Sequence, residues 1–448
     1  MASFAPTSGG TLAGRFLGRF LAAYTVLYIL PFPLDRLPMV GDVIGEAFSQ
    51  GSKTLAAAVG TSILGIDGEI FIGRTGSGDT TADYIRILYL VVGALVGALI
   101  GSWLARRRSA PPAVGRGFAI AIRFYLAFYM LDYGLSKVIP VQFIQPPLER
   151  LLRPLGETSP MGLVWTFMGV SPAYTIFSGL GESLAGILLL FRRTATLGAL
   201  VAAVVMTNVV MLNFAYDVPV KLFSSHLLAM AGFLMWRDRR RLIAVFWGRG
   251  AVPAPEPAPP LLPATGWSAR VPRWLAPSAV ALFALWLIGT NLYGAWSLHH
   301  SFGNARQKPA IWGIHEVEDF RVDGEERPPV LTDSLPWRAL VVDRALPRKW
   351  QEWEFPGRVV VQSLDGSLES FPVRLDESAR TLSFLATQDA DSEVIDTLAY
   401  ERSAPDRMVL TGTWQGHAVE IHLRERDLGT FELIGRGFHW INELPYNR

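Results

Sequence analysis

Cysteine is absent from all 448 residues. No disulfide, thiolate metal site or thiol redox cycle can therefore be carried by the chain itself. Charge is scarce as well: Asp, Glu, Lys and Arg make up 18% of the sequence, against 50% hydrophobic residues and a mean hydropathy of +0.28. That balance excludes an ordinary soluble protein and points to a membrane class, with the lipid bilayer as its surroundings. The net charge of +2 conceals an uneven distribution. Residues 301–448 hold 17 Lys and Arg against 25 Asp and Glu, which leaves 24 against 14 for the remainder. A basic, apolar N-terminal part is thus joined to an acidic, polar C-terminal part. The basic residues sit at the ends of apolar runs, which argues against nucleic acid as a partner. Arg15 and Arg19 precede the first apolar run, and no small-residue cleavage signature follows, so that run reads as an uncleaved span.

Seven runs approach the roughly 20 apolar residues that a span needs. They lie at about 16–33, 84–105, 117–139, 171–191, 195–216, 220–236 and 276–297, the sixth being short. Ser171-Pro172 supplies a cap and a first-turn proline for the fourth. Basic clusters at Arg106–Arg108, at Arg192-Arg193 and at Arg237 with Arg239–Arg241 follow alternate spans. All three fall on the cytoplasmic side if the N-terminus is inside, and the C-terminal part is then outside. The apolar stretch AFSQGSKTLAAAVGTSILGI within 34–83 suggests an interfacial helix, and MGLVWTFMGV at 161–170 a half-helix broken by Ser171-Pro172. RRLIAVFWGR, after the sixth run, has the character of an amphipathic surface helix. VPAPEPAPPLLPATG at 252–266 reads as an extended linker. Gly93, Gly97 and Gly101 form a small-residue stripe suited to close packing of helices within the chain.

From about 310 the hydrophobic period changes to two. AVEIHLR alternates cleanly, and RVVVQSLDGSLESFPVRL holds Asp365-Gly366 between two strand-like runs, a hairpin signal. RTLSFLA, DTLAYER, RMVLTGTW and FELIGRGFHW read as further strands of a small antiparallel barrel or sandwich. The fold class expected is a polytopic α-helical membrane bundle of about seven spans with a C-terminal all-β extracytoplasmic domain. His315, His417, His422 and His439 show no metal-ligand spacing, and His299-His300 reads as an interfacial polar pair, so no metal site is expected.

Ionisable residues inside spans are costly and need partners. Counted from the inner ends, Arg123 and Glu182 reach nearly the same depth, so a contact between them is expected. A second polar tier lies near the outer face: Asp132, Tyr133 and Lys137 on the third span, Asn208 and Asn213 on the fifth, Asp217 and Lys221 around Pro219, and His226 on the sixth. Asp132, Lys137, Glu182 and His226 are the candidate catalytic groups. Arg123, Tyr133, Asn208, Asn213, Asp217 and Lys221 are candidate ligand contacts. Asp217 and Lys221 equally suit a purely structural role, as ion pairs that cap helices and pin a turn.

DYGLSKVIPVQF, GLGESLAGILLLFRRTATLGAL and NVVMLNFAYDVPVKLFSSHLL resemble the DoxX/DoxD-like family of bacterial membrane proteins, and the tail RGFHWINELPYNR looks like the C-terminus of its larger members. The resemblance covers about 116–236 and marks out a four-helix module within 116–248. By hydropathy and composition, 1–115 reads as an N-terminal pair of spans with an outer loop, 249–275 as a cytoplasmic linker, 276–298 as the last span and 299–448 as the β domain. Lys137 and Glu182 match recurrent family positions. What the resemblance implies is a bacterial inner-membrane component of thiosulfate oxidation or thiol redox balance, with a bound quinone near the outer tier and a partner protein. This chain departs from the pattern in lacking cysteine and in carrying three extra spans and a large β domain. The alternative is a non-enzymatic ligand-binding, transport or scaffold protein of the membrane.

Overall fold

The computed structural model describes residues 12–72, 76–106, 114–248, 272, 274–350, 353–389 and 391–447. Arg107, Arg108 and the 252–266 linker lie outside them. Two compact units are formed, one from residues up to Leu135 with Ser178–Leu292, the other from Ser136–Phe177 with Tyr293 onward.

The first unit is helical. Long apolar runs with few breakers become α1 (Leu12–Ile29), α2 (Gly41–Ser62), α3 (Thr81–Arg106) and α4 (Val114–Val138). After α5 (Leu148–Leu152) and α6 (Pro160–Val170), which belong to the second unit, come α7 (Pro172–Leu190), α8 (Ala195–Ala215), α9 (Lys221–Arg237), α10 (Arg239–Trp247) and α11 (Leu275–Ser301). Among the described residues six helices are long and apolar enough to cross a membrane: α1, α3, α4, α7, α8 and α11. The sixth expected span, α9, has 17 residues and falls short. Ser171 ends α6 and opens α7, its hydroxyl accepting from Tyr174 N at 3.3 Å.

Small residues set the helix spacing. The glycine stripe of α3 faces α1, where a Cβ on Gly93, Gly97 or Gly101 would meet Leu27, Ala23 or Arg19 at 3.3, 3.5 and 3.7 Å. The α4–α7 seam is tighter. A Cβ on Gly134 would stand 2.6 Å from Ser183 N and 2.9 Å from Gly179 O, and one on Gly186 would stand 2.7 Å from Leu131 Cγ. Backbones this close leave no room for a side chain.

The second unit contains the barrel. Strands β1 (Gly313–Val322), β3 (Trp337–Arg344), β6 (Gly357–Ser363), β7 (Leu368–Asp376), β8 (Thr381–Leu385), β9 (Val394–Ala404), β10 (Arg407–Trp414) and β11 (His417–Glu425) pair antiparallel with their sequence neighbours. β11 returns to β1, with Val322 opposite Val419 and His315 opposite Glu425, and the eight strands close. The short β2 (Glu325–Glu326) extends one edge, and β4 (Arg348–Trp350) pairs with β5 (Trp353–Phe355) as a separate hairpin. Alternation places Val419, Ile421 and Leu423 inside. Eight strands give a lumen that side chains fill; here Phe320, Trp337, Phe384, Leu410 and Trp414 pack in it, with the Trp337 and Trp414 rings 4.9 Å apart, edge to face. The Asp365-Gly366 turn joins β6 to β7, with Gly366 at φ +92°.

FELIGRGFHW is not a strand. Asp427 Oδ1 accepts from Gly429 N at 2.8 Å and turns the chain, and Glu432–Gly435 forms the short helix α12. Phe431 and Leu428 pack with Leu148, Leu151 and Leu152 of α5 on the outer wall formed by Ile314, Ala339, Val341 and Val360. An ion pair between Glu149 and Arg358 fastens α5 there.

Candidate functional site

The residues around Pro219 close the end of α8 and the start of α9. α8 ends in a Schellman-type closure: Val218 N donates to Asn213 O at 3.0 Å while Asp217 takes a left-handed φ of +51°. Asp217 is therefore beyond the helix and exposed, and does not continue the face of Asn213. Asn213 is buried and donates to Ser224 Oγ at 2.9 Å, which ties α8 to α9. The open N-terminus of α9 is closed from a distance, since Asp79 accepts from Lys221 N at 2.7 Å and Leu222 N at 2.9 Å. The Lys221 ammonium pairs with Asp217 at 2.8 Å. Asn208 is exposed on α8 and joins none of this.

Arg123 and Glu182 do not meet. The α4–α7 register puts Gly134 against Gly179 and Ser183, and Leu131 against Gly186. Glu182 is consequently level with Tyr133, close enough to act on its phenol electrostatically. Arg123 lies toward Arg192 instead, its guanidinium 4.8 Å from the Phe124 ring. Counting depth from assumed span ends shifted one helix past the other. Glu182 is buried, as is Lys137, whose ammonium stands 5.9 Å from the Phe143 ring.

His226 does not join Asp132. Its Nδ1 bonds Leu222 O at 2.6 Å, and its Nε2 the Tyr24 hydroxyl at 2.7 Å. A carbonyl only accepts, so Nδ1 carries the hydrogen and Nε2 of the neutral ring accepts from the phenol. The imidazole lies on the Tyr28 ring, centroids 4.1 Å apart and planes 5° from parallel. Asp132 is half-buried and within electrostatic reach of Tyr129 and Tyr133.

None of the predicted site residues lines the cavity of about 320 Å³ that Tyr28 and Tyr129 border; its lining comes from α1, α2, α3, α4 and α9. Tyr28, Phe32, Tyr125, Tyr129 and Phe223 give it aromatic walls. Tyr125 and Tyr129 are one turn apart on α4, ring centroids 4.8 Å apart, and Phe223 meets Tyr129 edge-on at the same distance. Two cations, Lys53 and Arg86, and two acids, Asp35 and Asp83, line the same space. Asp83 is engaged in capping α3, accepting from Thr80 N at 3.0 Å, and Asp35 pairs with Arg36 at 3.2 Å. Arg86 lies 5.8 Å from the Tyr28 ring. Lys53 supplies a charged donor to the space. Sequence reasoning missed Lys53, Arg86, Tyr28, Tyr125 and Tyr129. The available signals were Arg86 inside an apolar run and the tyrosine ladder 125, 129, 133.

Fold and site together define a polytopic membrane protein with an eight-stranded β-barrel domain. The chain belongs to the family of the uncharacterised protein YwoB of Bacillus subtilis (strain 168), to which it is 37% identical over 136 residues, covering 30% of this chain and 85% of that protein. No family model matches the chain, and no solved structure matches it.

Proposed function

We propose that this chain is a DoxX-like protein of the bacterial inner membrane whose helical unit binds a quinone-class ring compound in the tyrosine-walled cavity. The observation that carries this reading is the pairing of aromatic walls with two cationic donors, Lys53 and Arg86, in one space of about 320 Å³. Flat rings stack on Tyr and Phe faces, and carbonyl or hydroxyl oxygens take hydrogen bonds from Lys and Arg. Ligand pockets commonly combine apolar walls with a few placed polar groups in this way. Asp132 and His226 act on the ligand through Tyr129 and Tyr28, and Lys137 and Glu182 keep the importance that the family resemblance gives them. With no cysteine, electrons reach a bound quinone only from a partner protein at the outer face, where the proposed orientation also puts the barrel. The barrel lumen is filled by packed side chains, which weighs against the alternative in which the barrel itself receives the ligand. Equilibrium titration with a short-chain ubiquinone analogue tests the reading. Wild-type protein binds, and the Lys53→Gln/Arg86→Gln double variant loses roughly tenfold or more in affinity, about 1.4 kcal/mol. A wild-type protein that does not bind the analogue rejects it.

A further inference from the structure

A second cleft, of about 280 Å³, begins where α11 ends; His300, Arg306, Gln307, Asp343 and Arg344 line it. Ser301, which also lines it, is the last residue of the apolar membrane-crossing stretch. At 1.5 Å per residue, its neighbours lie within a few ångströms of the end of the hydrocarbon layer, at headgroup depth.

The charges there do not balance. Arg306 Nη2 donates to Asp343 Oδ1 at 2.6 Å, and Trp312 Nε1 donates to the same oxygen at 3.0 Å. Arg344 Nε stands 3.9 Å from Asp343 Oδ2, beyond hydrogen-bond reach. Asp343 thus faces two guanidiniums and is committed to one of them, while Glu149, the other acid within electrostatic reach of Arg344, is paired with Arg358. The Nε atoms of Arg306 and Arg344 are buried without an acceptor, and Asp343 Oδ2 is buried without a donor. Burial pulls the Arg344 guanidinium below its usual range. The Arg306 and Arg344 side chains line the cleft and keep 12% and 21% of their surface, so their guanidinium donors suit a ligand with acceptor oxygens, and Asp343 in the same lining can accept from a hydroxyl.

We infer that this cleft binds a phosphate group, with Arg344 and Arg306 donating to its oxygens and Asp343 accepting from an adjacent hydroxyl. A glycerol-phosphate lipid headgroup and a soluble sugar or glycerol phosphate share this chemistry, and the test separates them. Native mass spectrometry and thermal shift are run on the full chain in neutral detergent. The probes are phosphatidylglycerol, phosphatidylcholine and glycerol 3-phosphate. Phosphatidylglycerol is expected to stay bound and raise the melting temperature, with at least tenfold weaker binding in Arg344→Gln and near-normal binding in Arg344→Lys. Binding of glycerol 3-phosphate alone, lost in Arg344→Gln, supports the phosphate site with a soluble ligand. If Arg344→Gln does not fold, competition between glycerol 3-phosphate and phosphatidylglycerol on wild type decides, and mutual displacement supports the site. Equal retention of the two lipids, with no glycerol 3-phosphate binding and no effect of Arg344→Gln, overturns it.

Discussion

His226 lies flat on Tyr28, ring centroids 4.1 Å apart and 5° from parallel, while the Tyr24 hydroxyl holds its Nε2 at 2.7 Å. α9 is thereby locked to α1 behind one wall of the cavity. Tyr24→Phe removes the donor and leaves a half-buried acceptor unpaired, at a cost of about 1 kcal/mol. The expected outcome is a lower melting temperature with the helical fold retained by circular dichroism, and weaker ligand binding. An unchanged melting temperature argues that the Tyr24–His226 bond holds nothing.

The α4–α7 seam and the α1–α3 seam are expected to answer differently to one added methyl. Gly134→Ala forces a Cβ to 2.6 Å from Ser183 N, so the helices must part, and overpacking of this kind costs about 1–3 kcal/mol or more. Gly97→Ala places its Cβ at an ordinary 3.5 Å from Ala23 and is tolerated. Detergent-resistant thermal stability of the two variants, measured side by side, checks the contrast.

Asp79, not Asp217, is expected to matter for α9. Asp79→Ala leaves two helix N–H groups without an acceptor, a loss of about 0.5–2 kcal/mol. Asp217→Asn touches an exposed side chain at a turn, and its melting curve should overlay the wild type. Scanning calorimetry of both variants measures the difference.

The barrel should weaken in acid through His315. Burial holds this imidazole below its ordinary value, and its Nε2 sits 2.9 Å from Ile311 O. The unfolded chain then binds a proton at higher pH than the folded one. Stability is full above the unfolded value of about 6.5 and falls as pH drops from there toward the depressed folded value. Barrel melting followed by tryptophan fluorescence should show this loss between neutral and mildly acidic pH, and His315→Leu should flatten it.

The large elements were legible because each carries a period of its own. Long apolar runs gave α1, α3, α4, α7, α8 and α11, and the AVEIHLR alternation gave β11 with its correct inward face. FELIGRGFHW misled because only its Phe431 packs on the outer wall, while Leu433, Ile434, Phe438 and Trp440 stay exposed, and a side-chain turn at Asp427 precedes them. The Arg123–Glu182 pairing failed on register: two glycines set how α4 slides on α7, and glycine carries no sign of which residue it will meet. The cavity was hidden for a related reason. Lys53 comes from α2, Arg86 from α3 and Tyr125 from α4, and only tertiary packing brings them to one space.

Photolabelling with an azido-quinone, followed by peptide mapping, tests the ligand cavity most directly. Label is predicted in peptides holding Tyr28–Asp35, Phe48–Ala56 and Thr80–Arg86, removed by excess unlabelled quinone and reduced in Arg86→Gln. Label that resists competition, or that falls only on the lipid-exposed faces of α8 and α11, contradicts the account.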